Sequence, residues 1–65
     1  MQVKSLVDLC KRDGELGTHN RVERLTRYAA MVGWDSFGSH YKESDPTDVP
    51  ADVVRQILAL DYAER

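Results

Sequence analysis

The chain has one cysteine, Cys10, so no intramolecular disulfide can staple it in the manner of small secreted domains. Close metal-ligand pairs are missing too. Cys10, His19 and His40 stand far apart, and neither C-x-x-C nor H-x-x-x-H occurs. No metal or other cofactor is therefore expected. No run of even eight apolar residues exists, so no segment is long enough to span a membrane. The opening MQVKSLVDLCKRDG is interrupted by Lys4, Asp8, Lys11 and Arg12, which excludes the apolar core of a signal peptide. An excess of positive charge is lacking as well. The net charge is -2, which gives no general attraction to a polyanion. The one glycine-rich stretch, Gly14-Glu15-Leu16-Gly17, has neither the spacing nor the lysine of a phosphate loop.

What is present is a composition of 42% apolar and 31% charged residues in a chain of 65, which reads as one small globular domain over residues 1–65. A domain this short buries only about 60% of the surface its unfolded chain exposes, so its margin of stability is thin. Met1 fits a complete small open reading frame of the kind phages and mobile elements carry. A free cysteine without an export signal fits a reducing cytoplasm.

Punctuation by glycine and proline divides the chain into helical stretches. Val3, Leu6, Val7 and Cys10 recur at the spacing of one helical face, predicting a helix from Val3 to Arg12. Ser5 and Asp8 offer a capping box, and Asp13-Gly14 a stop. A second helix is predicted over residues 21–32, with Asn20 as its cap, Glu23 completing a capping box and Gly33 ending it. Its apolar stripe is Val22, Leu25, Ala29 and Val32. From Trp34 to Glu43 a short fourth helix of about two turns is expected, with Phe37 and Tyr41 on one side. The last helix opens near Pro50, capped by Thr47 or Asp48, and runs to near the chain end. No segment alternates with the period of a strand. The expected fold class is all-α, a small bundle of three helices plus the short fourth.

Three surfaces are candidates for function. On the last helix, Val53, Val54, Ile57, Leu58, Leu60 and Tyr62 fan over about 200° of arc, with Asp52, Arg55, Gln56 and Ala59 opposite. That is wider than the stripe of a surface helix. Either this is the central helix of the bundle, or one edge of the arc meets a second chain. A homodimer is the economical form of the second reading, because a partner that binds only the folded state stabilises it. The next surface is aromatic. Trp34, Phe37 and Tyr41 follow closely on Tyr28, and aromatic side chains dominate interface hot spots. Trp34 and Phe37 also suit the edge of a core, which leaves Tyr28 and Tyr41 as the expected exposed members. The third surface is basic. Arg21, Arg24 and Arg27 are expected over an arc of about 120° on the side of the second helix away from its apolar stripe, as a solvated face or as contacts for an acidic protein or phosphates. Residues 43–65 carry six acids against two bases, so neutralisation by this acidic tail is a further reading.

Ala29 and Gly33 keep the small-residue-to-glycine spacing of the helix-turn-helix motif, and the chain resembles that motif over about twenty residues. The resemblance implies a recognition helix presenting Ser36, Ser39, His40 and Lys42 to the major groove. The chain departs from the pattern at Gly38, in mid-helix, and at Ser39, where an apolar residue is expected; a net acidic domain also lacks the usual basic footprint. Catalysis has less to recommend it. Cys10 completes an apolar helix face, and Ser36 with His40 has no orienting acid or oxyanion hole marked in the sequence. The sequence thus favours a non-enzymatic protein–protein interaction module, a regulator or inhibitor acting on another protein. A small helix-turn-helix regulator of DNA is the alternative.

Overall fold

The computed structural model of the chain describes residues 1–34 and 47–65. They form three helices in the order α1 (Val3–Leu9), α2 (His19–Met31) and α3 (Ala51–Ala63). Among the described residues the one extended pairing is an isolated antiparallel bridge between Gln2 and Asp48. The short fourth helix expected before Pro46, with Phe37 and Tyr41, falls on residues 35–46 and lies outside the described residues.

α1 buries Val3, Leu6 and Val7, and Cys10 extends the same face just past its end. The helix stops at Leu9 rather than Arg12. The Cys10 carbonyl, which a longer helix would offer to its own next turn, instead accepts a 2.7 Å hydrogen bond from Arg24 Nη2. The segment before α3 is tied to the chain start by the backbone. Val3 N–H donates to the Thr47 carbonyl at 3.2 Å and Val49 N–H to the Met1 carbonyl at 2.6 Å. Val49 is thereby held fully buried.

α2 begins two residues earlier than the capping pattern implied. Thr18 is its N-cap without a side-chain bond, Asn20 lies inside the helix, and Glu23 faces His19 at 3.4 Å. Its end follows the sequence closely. Gly33 has φ +82°, its N–H donates to Ala30 (3.2 Å) and the Trp34 N–H reaches back to Ala29 (2.9 Å). These are the two reversed bonds of a glycine C-cap, and Trp34 packs on the core as the apolar residue beyond it. α3 starts after Pro50, which is the N-cap by backbone geometry; neither Thr47 nor Asp48 caps it through a side chain.

The core joins Val3, Leu6, Val7 and Cys10 to Leu25, Tyr28 and Ala29 of α2 and to Val49, Val53, Val54 and Ile57. α2 is the middle element. It packs on both α1 and α3, which touch each other less. Among the described helices α2, not the last one, is therefore in the middle, and burial falls on it from two sides. At Gly33 the space around a new Cβ is open, so Gly33→Ala meets strain of the left-handed backbone and no clash. The expected loss is about 1–2 kcal/mol, read as a lower urea midpoint with an unchanged slope.

Candidate functional site

Burial of α2 on two sides brings its arginines inside. Arg21 and Arg24 are only 6% and 8% exposed, so they form neither a solvated face nor an open basic surface. On a helical wheel at about 100° per residue, Tyr28 falls between these two arginines and Arg21 adjoins Val32. The arginines flank the apolar stripe rather than oppose it. Only Arg27, further round, keeps an exposed side chain. Tyr28, expected at the surface, is fully buried.

The acids that meet these arginines come from a loop and from the chain end. Glu15, in the loop between α1 and α2, accepts from Arg21 Nε through Oε1 and from Arg24 Nη1 through Oε2, both at 2.6 Å. Asp61 of α3 is buried at 2% exposure. Its Oδ1 accepts from Arg12 Nη2 at 2.9 Å and from Arg24 Nε at 3.1 Å, and its Oδ2 from Arg65 Nη2 at 3.1 Å. All three nitrogens of Arg24 are thus engaged, by Asp61, Glu15 and the Cys10 carbonyl. A second knot lies beside the first. Tyr28 donates its hydroxyl to Glu64 Oε2 at 2.6 Å, and Arg27 reaches the same oxygen at 3.2 Å with its guanidinium 5.6 Å from the Tyr28 ring centre. Arg12 Nε is buried with no acceptor among the described residues.

The electrostatics follow from these contacts. Hydrogen bonds from Arg24 and Arg21 outweigh burial and hold the Glu15 carboxyl down at about 2. The Tyr28 hydroxyl, and then the Arg27 charge, also lower Glu64. Burial raises the Tyr28 phenol, and the bond to Glu64 raises it further. Burial opposes the charge on Arg24, but its bonds to Glu15 and Asp61 more than offset that and raise its pKa. Burial, followed by the Asp61 charge, pushes the Cys10 thiol up to about 11, so it is a protonated, enclosed side chain at neutral pH. Among the described residues no group of three His, Cys, Asp or Glu is placed to hold a metal ion.

The apolar candidates divide differently from the expected split into an inner and an outer edge. Val53, Val54 and Ile57 are core residues of the single chain and are not available to a partner. Leu58 and Leu60 are half-buried against that core, and Tyr62 is 79% exposed. Leu60 lines an apolar groove with Met31, Val32, Gln56 and Ala59, a cavity of about 360 Å³ between α2 and α3. Met31, which sequence reasoning passed over, is 62% exposed on its rim. Asp61 was also missed. It occupies the middle of α3's apolar arc, between Ile57 and Val54 on the wheel, and a lone carboxylate there was the available signal that arginines must meet it.

The Ala29–Gly33 spacing is accounted for by the C-cap of α2, and the residues of the implied recognition helix lie outside the described residues. No helix is long and apolar enough to cross a membrane, among the described residues. No protein-family model matches the chain, and neither does any curated protein or solved structure.

Removing one partner of a buried, hydrogen-bonded charge cluster leaves the others unpaired, at a cost of about 3–5 kcal/mol. Asp61→Ala is therefore expected to abolish most helical circular dichroism at 25 °C, whereas Arg27→Ala, at an exposed pair, shifts the urea midpoint little. The pH dependence has a definite sign. Glu15 is lowered from 4.5 to about 2 on folding, so its contribution is complete above about 4.5 and is lost as pH falls toward 2. Urea midpoints of the wild type should fall across that window, and Glu15→Gln should flatten the fall. Cys10 should resist iodoacetamide at pH 8 in the folded protein and react in urea; rapid labelling of the native chain would contradict its burial.

Proposed function

We propose that the chain is a non-enzymatic protein–protein interaction module, a cytoplasmic regulator or inhibitor that occupies a surface of another protein and itself forms a homodimer. It would be of the kind phages and mobile elements encode. The observation that carries this reading is the groove between α2 and α3. Met31, Val32, Ala59 and Leu60 line it, and Met31 stands largely in solvent on a domain with a small core. An apolar groove with an exposed methionine at its rim offers a partner's apolar side chain a place to be buried. Tyr62 and Leu58 extend α3's available apolar surface on its far side. The dimer interface in this reading consists of Met31, Ala59 and Leu60, and the inner residues Val53, Val54 and Ile57 support it from below.

The alternative, a helix-turn-helix regulator, has less behind it. Arg21 and Arg24 already hold carboxylates of the same chain, which leaves Arg27 as the exposed member of the stripe. Burial of a leucine-sized side chain contributes about 1.5–3 kcal/mol, so a few such residues suffice for a micromolar dimer. Light scattering at about 100 µM should give the mass of two chains, and Met31→Glu should return it to one with helicity kept. A wild-type monomer at that concentration removes the dimer. Affinity capture from the native host tests the partner. Stoichiometric recovery of one protein, lost with Met31→Glu, supports the module; recovery of salt-released DNA instead favours the alternative.

A further inference from the structure

The loop between α1 and α2 is attached to the helices in an unusual way. Of residues 13–18 only Glu15 is drawn in from solvent; Asp13, Gly14, Leu16, Gly17 and Thr18 are exposed, and Leu16 is 89% exposed. None of the six belongs to the apolar core or packs against it. Glu15 is flanked by Gly14 and Gly17, at φ +79° and +82°, conformations that glycine enters without a Cβ penalty. Its carboxylate lies between Arg21 and Arg24 with 9% of the side chain exposed, one oxygen on each guanidinium. Arg21 uses a single donor, Nε, in this contact; its two terminal nitrogens have no acceptor among the described residues.

We propose that the Arg21–Arg24 pair is a recognition site for an acidic side chain of a partner protein, and that Glu15 is a tethered occupant which that side chain displaces. Two arginines one turn apart, each donating to a different oxygen of one carboxylate, form a receptor for a planar anion. The loop contributes no residue to the apolar core, so beyond the two ion pairs the exchange loses the backbone bond from Glu15 N–H to the Arg12 carbonyl at 3.1 Å. Nor does the loop open without a replacement, since that would leave buried Arg21 with no carboxylate among the described residues and Arg24 with Asp61 alone. An incoming carboxylate meets the same donors as Glu15 and also the two terminal nitrogens of Arg21, which have no acceptor among the described residues. Displacement would also free Leu16 to move with the loop and meet the partner. The proposal adds a second surface to the interaction module, and rests on that reading only for the statement that a protein supplies the acid; the groove and its dimer are not involved.

A tethered competitor lowers the apparent affinity of any rival by the extent to which it fills the site. Titration with a hexaglutamate peptide, followed at the Nε–H resonances of Arg21 and Arg24, tests this directly. Glu15→Gln and Glu15→Ala are expected to bind the peptide at least about tenfold more tightly than the wild type, and Arg21→Gln to lose the response. In the wild type, peptide at about 10 mM, above the millimolar effective concentration of a short tether, should shift both arginine signals together with the Gly14, Leu16 and Gly17 amides. Folded Glu15 variants that bind no more tightly than the wild type would overturn the proposal. If neither variant folds, wild-type signals that stay still under the peptide do so equally. A DNA duplex that displaces Glu15 where the peptide does not would overturn the assignment to an acidic protein. The Met31→Glu chain should respond to the peptide as the wild type does, so the fate of the dimer and the fate of this site are read separately.

Discussion

A single buried carboxylate organises this domain. Asp61 lies on the inner face of α3 and accepts hydrogen bonds from Arg12, after α1, from Arg24 of α2 and from Arg65 at the end of its own helix. A charge in that position is tolerable only when it is paired and fully hydrogen-bonded. Its partners come from each part of the described chain. The requirement to satisfy Asp61 therefore fixes how the end of α1, the middle of α2 and the last turn of α3 come together. Arg24 transmits the constraint outward, because its other nitrogens hold Glu15 and the Cys10 carbonyl. The early end of α1 and the seating of the α1–α2 loop both follow from it.

This ionic centre compensates for the size of the chain. Apolar burial alone supplies little net stability to a domain of this length. Among the described residues the apolar core is composed mostly of valine and leucine, with Tyr28 as its largest fully buried side chain. Tyr28 joins the two systems. Its ring is enclosed by the core, and its hydroxyl reaches Glu64 beside the Arg27 guanidinium. Well-paired buried charges add little net stability relative to an apolar core, but the loss of any one of them is expensive. That asymmetry specifies a single arrangement of the helices and makes the fold sensitive to acid.

The same geometry separates structural charge from functional surface. Arg21 and Arg24 are spoken for by carboxylates of the chain itself, so the basic stripe is no open platform for a polyanion. The apolar groove of α2 and α3 is the surface left without a partner among the described residues, and the proposed interaction module rests on it. The Glu15 contact stands between these cases. It satisfies buried arginines, yet it is delivered by a loop whose other residues are exposed and stand outside the apolar core.

The sequence by itself determined the helical class, the three long helices to within a few residues, and the glycine that closes α2. These are local matters. Apolar spacing and a left-handed C-cap are written in adjacent residues, so Val3, Leu6, Val7 and Cys10 could be assigned to one buried face and Gly33 to a helix end. The caps of α2 and α3 were less legible, because backbone geometry at Thr18 and Pro50 does the work that side chains were expected to do. Only the tertiary structure decided which helix is central and where the arginines go. Periodicity assigns Arg21, Arg24 and Tyr28 to one side of α2, but burial of that side depends on α1 and α3 arriving on both flanks. It also depends on Glu15, Asp61 and Glu64 meeting the charges, from positions up to 37 residues away in the chain. A charged side chain enters the interior only when its counter-charge arrives with it, and the pairing of distant residues is a property of the folded arrangement.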